Sequence, residues 1–155
     1  MSVHNVTWYA TSSGVASTEA IVAALNWLTG GEAEITREKV KSYHGARMTM
    51  LRVQIHRKKA ARESIAHLGP QFLGQLAHSD NLVDRIDDEN TLHIRLSLSS
   101  LVRGSIELSD GSEEEIKGRI KLEVYPGQDA LVNARKMLEA SANRATKLGL
   151  PSEIE

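Results

Sequence analysis

The sequence predicts an α+β fold: an antiparallel sheet with helices packed on one face, ending in a long C-terminal helix. Several segments alternate apolar and polar residues with the period of two that is typical of half-buried strands. Others place apolar residues three and four apart, as amphipathic helices do. Glycine and proline separate the segments. At 155 residues, we expect one domain that buries about 68–70% of its unfolded surface.

The centre of the chain, residues 45–62, combines both periods. Leu51, Val53 and Ile55 lie on one side of a predicted strand, and Arg52 and Gln54 lie on the other. A helix then begins near residue 57 and carries dense positive charge. Its apolar face is formed by residues at helical spacing, namely Ala61, Ile65 and Leu68.

The remaining elements follow from the same two periods. Before the centre we expect a strand at 3–10, a helix at 17–28 with Ser17 as its N-cap, a short strand at 34–41 and a turn at 43–45. After it we expect a helix at 70–78, an irregular acidic segment at 79–90, strands at 91–98, 101–108 and 116–124, and a helix at 128–148. The link Ser99-Ser100 suggests a hairpin or a bend between two of these strands.

Composition excludes several classes of function. Cysteine is absent, which excludes disulfides, thiol catalysis and cysteine-based zinc sites. The first ten residues do not resemble a signal peptide, and no apolar stretch approaches the length of a membrane span. We therefore expect a cytoplasmic protein that does not bind membranes. The formal net charge is −1, so attraction to nucleic acid requires local segregation of charge.

Such segregation is visible on the outward faces of the predicted strands. The outward side chains are mostly basic, whereas acidic residues concentrate in the segments 84–89 and 110–115; Glu107 and Glu123 are outward exceptions. If the strands share one sheet, one face is positive and suits phosphates. Lysine and arginine are also ordinary on the solvated face of an antiparallel sheet and protect its edges. Both interpretations stay open at this point.

Aromatic residues are scarce for a sheet that reads bases. Aromatic residues make up 4% of the sequence, and Phe72 is the single phenylalanine. Sheets that read single-stranded RNA usually stack bases on aromatic side chains. If RNA binds, the sequence favours contacts with the backbone and shape of the nucleic acid.

Catalytic and metal-binding patterns are weak. The six histidines form no closely spaced ligand pair, and Asp87-Asp88-Glu89 is more typical of a solvated turn than of a carboxylate metal site. Neither a phosphate loop nor a nucleophile motif occurs. We therefore expect a protein that is not an enzyme, with no cofactor and no metal.

Short motifs point to a family. In chain order they are Val3-His4-Asn5-Val6, Ser42-Tyr43-His44-Gly45, Arg85-Ile86-Asp87-Asp88-Glu89-Asn90-Thr91-Leu92-His93-Ile94-Arg95-Leu96, Gly104-Ser105-Ile106-Glu107-Leu108 and Glu123-Val124-Tyr125-Pro126. In element order and spacing over residues 3–138, the chain resembles an archaeal family of predicted RNA-binding proteins described as exosome subunits. The resemblance implies a fold similar to the ribosomal protein L-five superfamily, and a role in RNA processing or ribosome-related metabolism.

The chain departs from the pattern of this family at two places. Ala46-Arg47 stand where the family tends to have Asn-Pro, and Ser97-Leu98-Ser99 stand where it tends to have Asp-Lys-Gln. The second departure removes a lysine, which leaves positive charge in this region to Arg95 and Arg103.

Charge segregation and the resemblance together predict a non-enzymatic RNA-binding protein. The predicted phosphate contacts are Arg52, His56, Arg57, Lys58, Lys59, Arg95, Arg103, Lys117, Arg119 and Lys121. The alternative is a protein-interaction module or a homodimer, formed through a sheet edge or the last helix. Trp8, Tyr9 and Trp27 are candidate exposed anchors for that alternative, although burial in the core is the stronger expectation for Trp27.

Overall fold

The computed structural model describes residues 3–12, 15–31, 34–41, 47–111 and 114–149. Five strands, five α-helices and a short 3₁₀-helix at Leu82–Arg85 follow one another in these ranges. The strands are β1 (Val3–Ser12), β2 (Thr36–Lys41), β3 (Arg47–Ile55), β4 (Thr91–Ser97) and β5 (Glu115–Leu122). The helices are α1 (Val15–Thr29), α2 (Lys58–Ala66), α3 (Pro70–Ala77), α4 (Leu98–Val102) and α5 (Ala130–Lys147).

The five strands form one sheet in the order β2-β3-β1-β5-β4, and every pair is antiparallel. Helices α1 and α2 pack against β1 and β3, and α5 packs against β5, α2 and α3. The predicted α+β fold with a long C-terminal helix is therefore confirmed. Strand alternation placed the apolar side chains correctly, because Leu51, Val53 and Ile55 are all buried beneath the helices.

Trp8 lies at the centre of the buried layer. Its side chain is fully buried, and its indole Nε1 donates to Ser64 Oγ of α2 at 2.7 Å. Ser64 Oγ in turn donates to the Leu28 carbonyl at the end of α1, also at 2.7 Å. This chain of hydrogen bonds satisfies the polar atoms that the core encloses. Trp8 is thus a core residue, and its candidacy as an exposed anchor was wrong.

The ring of Trp8 lies over Gly118 in the neighbouring strand β5. The two residues are register partners, and a side chain at position 118 would point into the ring. Glycine is needed here for space and not for an unusual backbone conformation. The sequence pattern alone gives no sign of this close approach.

Helix α5 begins where Asp129 caps it. The Asp129 carboxylate accepts from the Leu131 amide at 2.8 Å, which satisfies one of the free donors of the first turn. Its buried face carries Ala134, Met137, Leu138, Ser141 and Ala145. The helix predicted at 128–148 is confirmed with slightly shorter ends, and Leu148, the last residue of the predicted range, is its C-cap and is 53% exposed.

The predicted strand at 101–108 is wrong. Leu98–Val102 form α4, whose N-cap Ser97 accepts from the Ser100 amide, and a turn with Gly104 at a φ of 90° follows. Only single bridges remain of the expected pairing, among them Leu96 with Leu108. Arg103 consequently lies at the C-terminal end of a helix and not on a strand.

Smaller corrections concern segment ends. Helix α1 begins at Val15, so Ser17 lies inside it and is not its N-cap. Part of the predicted irregular segment 79–90 is the 3₁₀-helix. Glu123, predicted to point outward, is 6% exposed. The predicted turn at 43–45 lies outside the described residues.

No helix in the described ranges has the length and apolar character needed to cross a membrane.

Candidate nucleic-acid interface on the open face of the sheet

One face of the sheet is buried by helices, and the other, which we call the open face, points to solvent. Strand register places its side chains in rows that run across the strands. The central row contains Arg52, Tyr9, Lys117 and Arg95, each opposite the next on the neighbouring strand. With strands about 4.8 Å apart, this row extends over roughly 14 Å. Arg95 is exposed and the other three are half-buried.

Further cations flank the central row. Arg119 lies opposite Thr7 and His93, and Lys121 lies opposite Asn5 and Thr91. Arg119 is exposed and Lys121 half-buried. Lys121 Nζ donates to the Glu89 carbonyl at the turn before β4. Five of the ten predicted phosphate contacts therefore share the open face: Arg52, Arg95, Lys117, Arg119 and Lys121.

Tyr9 stands in the middle of these cations. The Arg119 guanidinium carbon lies 4.6 Å from the centroid of its ring, and Lys117 Nζ lies 5.8 Å from it. Arg119 Nη2 also donates to the Tyr9 hydroxyl at 3.1 Å. The negative face of an aromatic ring attracts cations at such distances. An aromatic side chain thus lies among the cations of a face that the sequence predicted to be mostly basic.

The sequence analysis named Tyr9 only as a candidate anchor for a protein partner and missed its position among these cations, although a usable signal was present. Trp8 and Tyr9 are adjacent in a strand, so one faces the core and the other the opposite side. Val6 is apolar and two residues before Trp8, so both side chains lie on the core face. Tyr9 therefore lies on the open face. Its position between Arg52 and Lys117 depends on strand order, which alternation does not supply.

Two carboxylates border the open face. Glu115 lies 3.6 Å from Arg95 in an ion pair. Asp87 Oδ2 lies 2.7 Å from His93 Nε2, while its other oxygen accepts from the Glu89 and Thr91 amides. The hydrogen bond from His93 is the main reason that the pKa of Asp87 lies below its usual value. Asp87 therefore organises the turn before β4, as the sequence indicated for this segment.

The structure separates the remaining predicted contacts from the open face. Arg103 follows α4, where its guanidinium lies 3.4 Å from Ser100 Oγ. Lys58 and Lys59 lie in the first turn of α2, within the helix layer. Lys58 is paired with Glu123 at 2.5 Å, so part of its charge is already compensated.

His56 and Arg57 occupy an intermediate position between β3 and α2. Both are exposed and line a cavity of about 510 Å³ at the edge of the sheet. Thr36 and Gln54 line it too. Both belong to the open face, because Thr36 is the register partner of Arg52 and Gln54 lies two residues after Arg52 in the same strand. The cavity therefore adjoins the open face and extends its polar surface around the end of β3.

Metal chemistry gains no support in the described ranges. No group of three or more histidine, aspartate or glutamate side chains there is arranged to hold a metal ion. The arrangement on the open face is suited instead to binding an anionic polymer, because several cations and one aromatic ring share a solvent-facing surface.

Comparison with known proteins relates residues 7–124 to a family model described as RNA binding. The matched range contains strands β2 to β5, the last six residues of β1, and all five cations of the open face together with Tyr9. No curated protein matches the chain.

Solved archaeal structures share the fold. A DUF54 protein from Methanothermobacter thermautotrophicus is 30% identical, with a TM-score of 0.73 over 90% of this chain and 100% of that one. A DUF54 protein from Archaeoglobus fulgidus is 24% identical, with a TM-score of 0.62 over 92% and 99%. A UPF0201 protein from Methanococcus jannaschii is 11% identical, with a TM-score of 0.56 over 87% and 92%. At the two lower identities, the likeness concerns the fold alone.

Proposed function

Since this chain belongs to the RNA-binding family whose model spans residues 7–124, we propose that it binds RNA through the open face of its sheet. The phosphate contacts are the five cations of that face: Arg52, Arg95, Lys117, Arg119 and Lys121. The observation that carries the proposal is their shared position around Tyr9 in a protein of net charge −1. Cations gathered on one surface attract phosphates locally even when the whole molecule does not.

His56 and Arg57 add a secondary contact in this proposal. They line the cavity next to Gln54, where a strand that leaves the open face would pass. Lys58, Lys59 and Arg103 are left out of the interface, because they belong to the helix layer or to the turn after α4.

We propose further that the protein acts without catalysis, as an RNA-binding component of RNA processing. The resemblance of its motifs to archaeal proteins described as exosome subunits, with a fold similar to the L-five superfamily, supports this finer assignment. Incubation of the protein with end-labelled RNA is expected to leave the RNA intact. Cleavage that copurifies with the protein and is lost with open-face variants would contradict a purely binding role.

The proposed interface is tested by charge reversal on the open face. The variant with Arg95→Glu, Lys117→Glu and Arg119→Glu is expected to lower affinity for a mixed-sequence RNA by more than about tenfold, because phosphate contacts supply most of the non-specific affinity. Fluorescence anisotropy measures the binding, and circular dichroism verifies the fold.

The matched control reverses three exposed charges elsewhere: Arg103→Glu, Lys136→Glu and Lys147→Glu. It changes the net charge by the same amount, so any effect of overall repulsion appears in both variants. Equal losses in the two variants would refute a specific role for the open face, and absence of binding by the unmodified protein would refute the function itself.

A further inference from the structure

The Tyr9–Arg119 pair has a geometry that simple phosphate binding does not require. We propose, on the basis of the proposed function, that this pair is a stacking platform for an unpaired base and that the RNA recognised is single-stranded at this point. The flanking cations then hold the phosphates on either side of the stacked nucleotide.

Two contacts orient the Arg119 guanidinium. It lies 4.6 Å from the centroid of the Tyr9 ring, and its Nη2 donates to the Tyr9 hydroxyl at 3.1 Å. Arginine stacks on aromatic rings through its planar, delocalised group. An exposed guanidinium plane supported by a ring offers a base a flat surface, and RNA-binding proteins use both aromatic rings and arginine planes for this purpose.

The surroundings of the pair match a nucleotide in extent and chemistry. Arg52 and Lys117 lie directly on either side of Tyr9, one strand spacing away in each direction. Thr7 and Gln54 lie opposite each other in the next row, beside Arg119. Cations thus border the platform where phosphates would pass, and a hydroxyl and an amide border it where the edge of a base could form hydrogen bonds.

Stacking on this platform selects against a continuous duplex. In an A-form helix the faces of internal bases are covered by their neighbours, and proteins contact the backbone and the shallow groove instead. A base that lies on Arg119 must therefore come from a single strand, a loop or an overhang. Single-strand binders combine a positive groove with stacking, and each stacked base contributes substantially to affinity.

The test compares two arginine-to-lysine substitutions on the same face. Arg119→Lys keeps the charge but loses the plane, whereas Arg95→Lys, at the far end of the central row, removes a guanidinium whose neighbour is the Glu115 carboxylate and not the Tyr9 ring. We expect Arg119→Lys to weaken binding of a single-stranded RNA about 5- to 100-fold and to leave binding of a blunt duplex of equal length nearly unchanged. Arg95→Lys is expected to change the affinities for the two RNAs by the same factor, because Arg95 is a proposed contact with phosphate, which both RNAs present.

A fluorescent base gives a second readout. 2-Aminopurine in the single-stranded RNA is expected to lose fluorescence on binding to the unmodified protein, and to lose less with Arg119→Lys or Tyr9→Leu. Tyr9→Phe retains the ring and is expected to preserve most of the quenching, which keeps the test informative if Tyr9→Leu fails to fold.

The outcomes separate this inference from the proposed function. If Arg119→Lys changed the affinities for the single strand and the duplex by the same factor, as Arg95→Lys is expected to do, the stacking platform would be overturned. RNA binding itself would still stand. Failure of the unmodified protein to bind either RNA would overturn both.

Discussion

At the scale of single residues, Gly118 and Trp8 pack tightly against each other across two strands. A Cβ atom built on Gly118 would lie 2.8 Å from Cε3 of the Trp8 ring, and closer still to Cζ3. Trp8 cannot move away easily, because it is fully buried and hydrogen-bonded to Ser64. The ring and the glycine therefore form one unit of the core.

We predict that Gly118→Ala lowers the free energy of unfolding by about 1–3 kcal/mol, the usual cost of overpacking a core. The matched control is Gly74→Ala in α3, where an added Cβ would meet no atom of the described residues within 4 Å beyond its own helix backbone and chain neighbours. Because alanine favours the helix more than glycine does, this control is expected to raise the unfolding free energy by about 0.5–1 kcal/mol. Urea denaturation measures both, and a neutral Gly118→Ala would contradict the packing.

The residues of the open face could be predicted only in part. Alternation alone assigned Arg52, Lys117 and Arg119 to the side opposite the core, and this assignment holds. Their arrangement around Tyr9 required the strand order β2-β3-β1-β5-β4, which pairs segments more than a hundred residues apart in the chain. Short-range periodicity carries no information on such pairings, since register and order are decided by the whole core.

At the scale of elements, α4 shows how alternation misleads. Residues 101–108 place Val102, Ile106 and Leu108 on one side of a predicted strand, yet Val102 is 65% exposed and only Ile106 is well buried. The competing signal was local: Ser97 caps the helix, and Leu98 and Leu101, three apart, both reach the core. A serine before two leucines three residues apart favours a helical turn. Because this turn forms, Arg103 lies at the end of α4 and not in the sheet.

A pair of contacts at Glu123 joins α2 to the segment after β5. Glu123 accepts a hydrogen bond from the Tyr125 hydroxyl at 2.7 Å and pairs with Lys58 at 2.5 Å. Lys58 first, and Tyr125 second, hold the pKa of Glu123 below its ordinary value of 4.5. A carboxylate whose pKa is lower in the folded state stabilises the fold above its unfolded pKa and loses this effect as the pH falls through the folded value.

We therefore predict that Glu123→Gln lowers the melting temperature at pH 7, and that its difference from the unmodified protein shrinks as the pH falls below about 4.5. Glu139→Gln serves as the control, because Glu139 is half exposed and lies 3.8 Å from His78, and a pair so exposed contributes little. Thermal unfolding across this pH range measures both variants. A difference for Glu123→Gln that persists unchanged at pH 3 would argue against the ion pair.

At the scale of the whole molecule, the two sheet edges bear on the alternative of a homodimer. The edge strand β2 carries charged side chains at four of its six positions: Arg37, Glu38, Lys39 and Lys41. Charged edges resist edge-to-edge pairing. The opposite edge strand, β4, already forms single bridges with Ile86 and Leu108. Both features favour the open face over the edges as the surface through which this molecule meets a partner.

The charge distribution of the whole molecule determines how binding depends on salt. Nineteen basic and twenty acidic residues give a net charge of −1, so long-range attraction is weak, and the proposed phosphate contacts are limited to the cations of the open face. Five such cations predict that the logarithm of the binding constant falls with the logarithm of salt concentration with a slope of about −3 to −4 for single-stranded RNA, since each contact contributes roughly −0.7.

Anisotropy titrations at several salt concentrations measure this slope, and single substitutions divide it among the contacts. Lys117→Gln is expected to reduce its magnitude by about 0.7, whereas Lys136→Gln in α5 is expected to leave it unchanged. Arg119→Lys keeps its charge, so it is expected to lower affinity without altering the slope. This combination separates the phosphate contacts from the stacking contact within one data set. A slope near zero would show that the five cations make no phosphate contacts, which would contradict the proposed role of the open face.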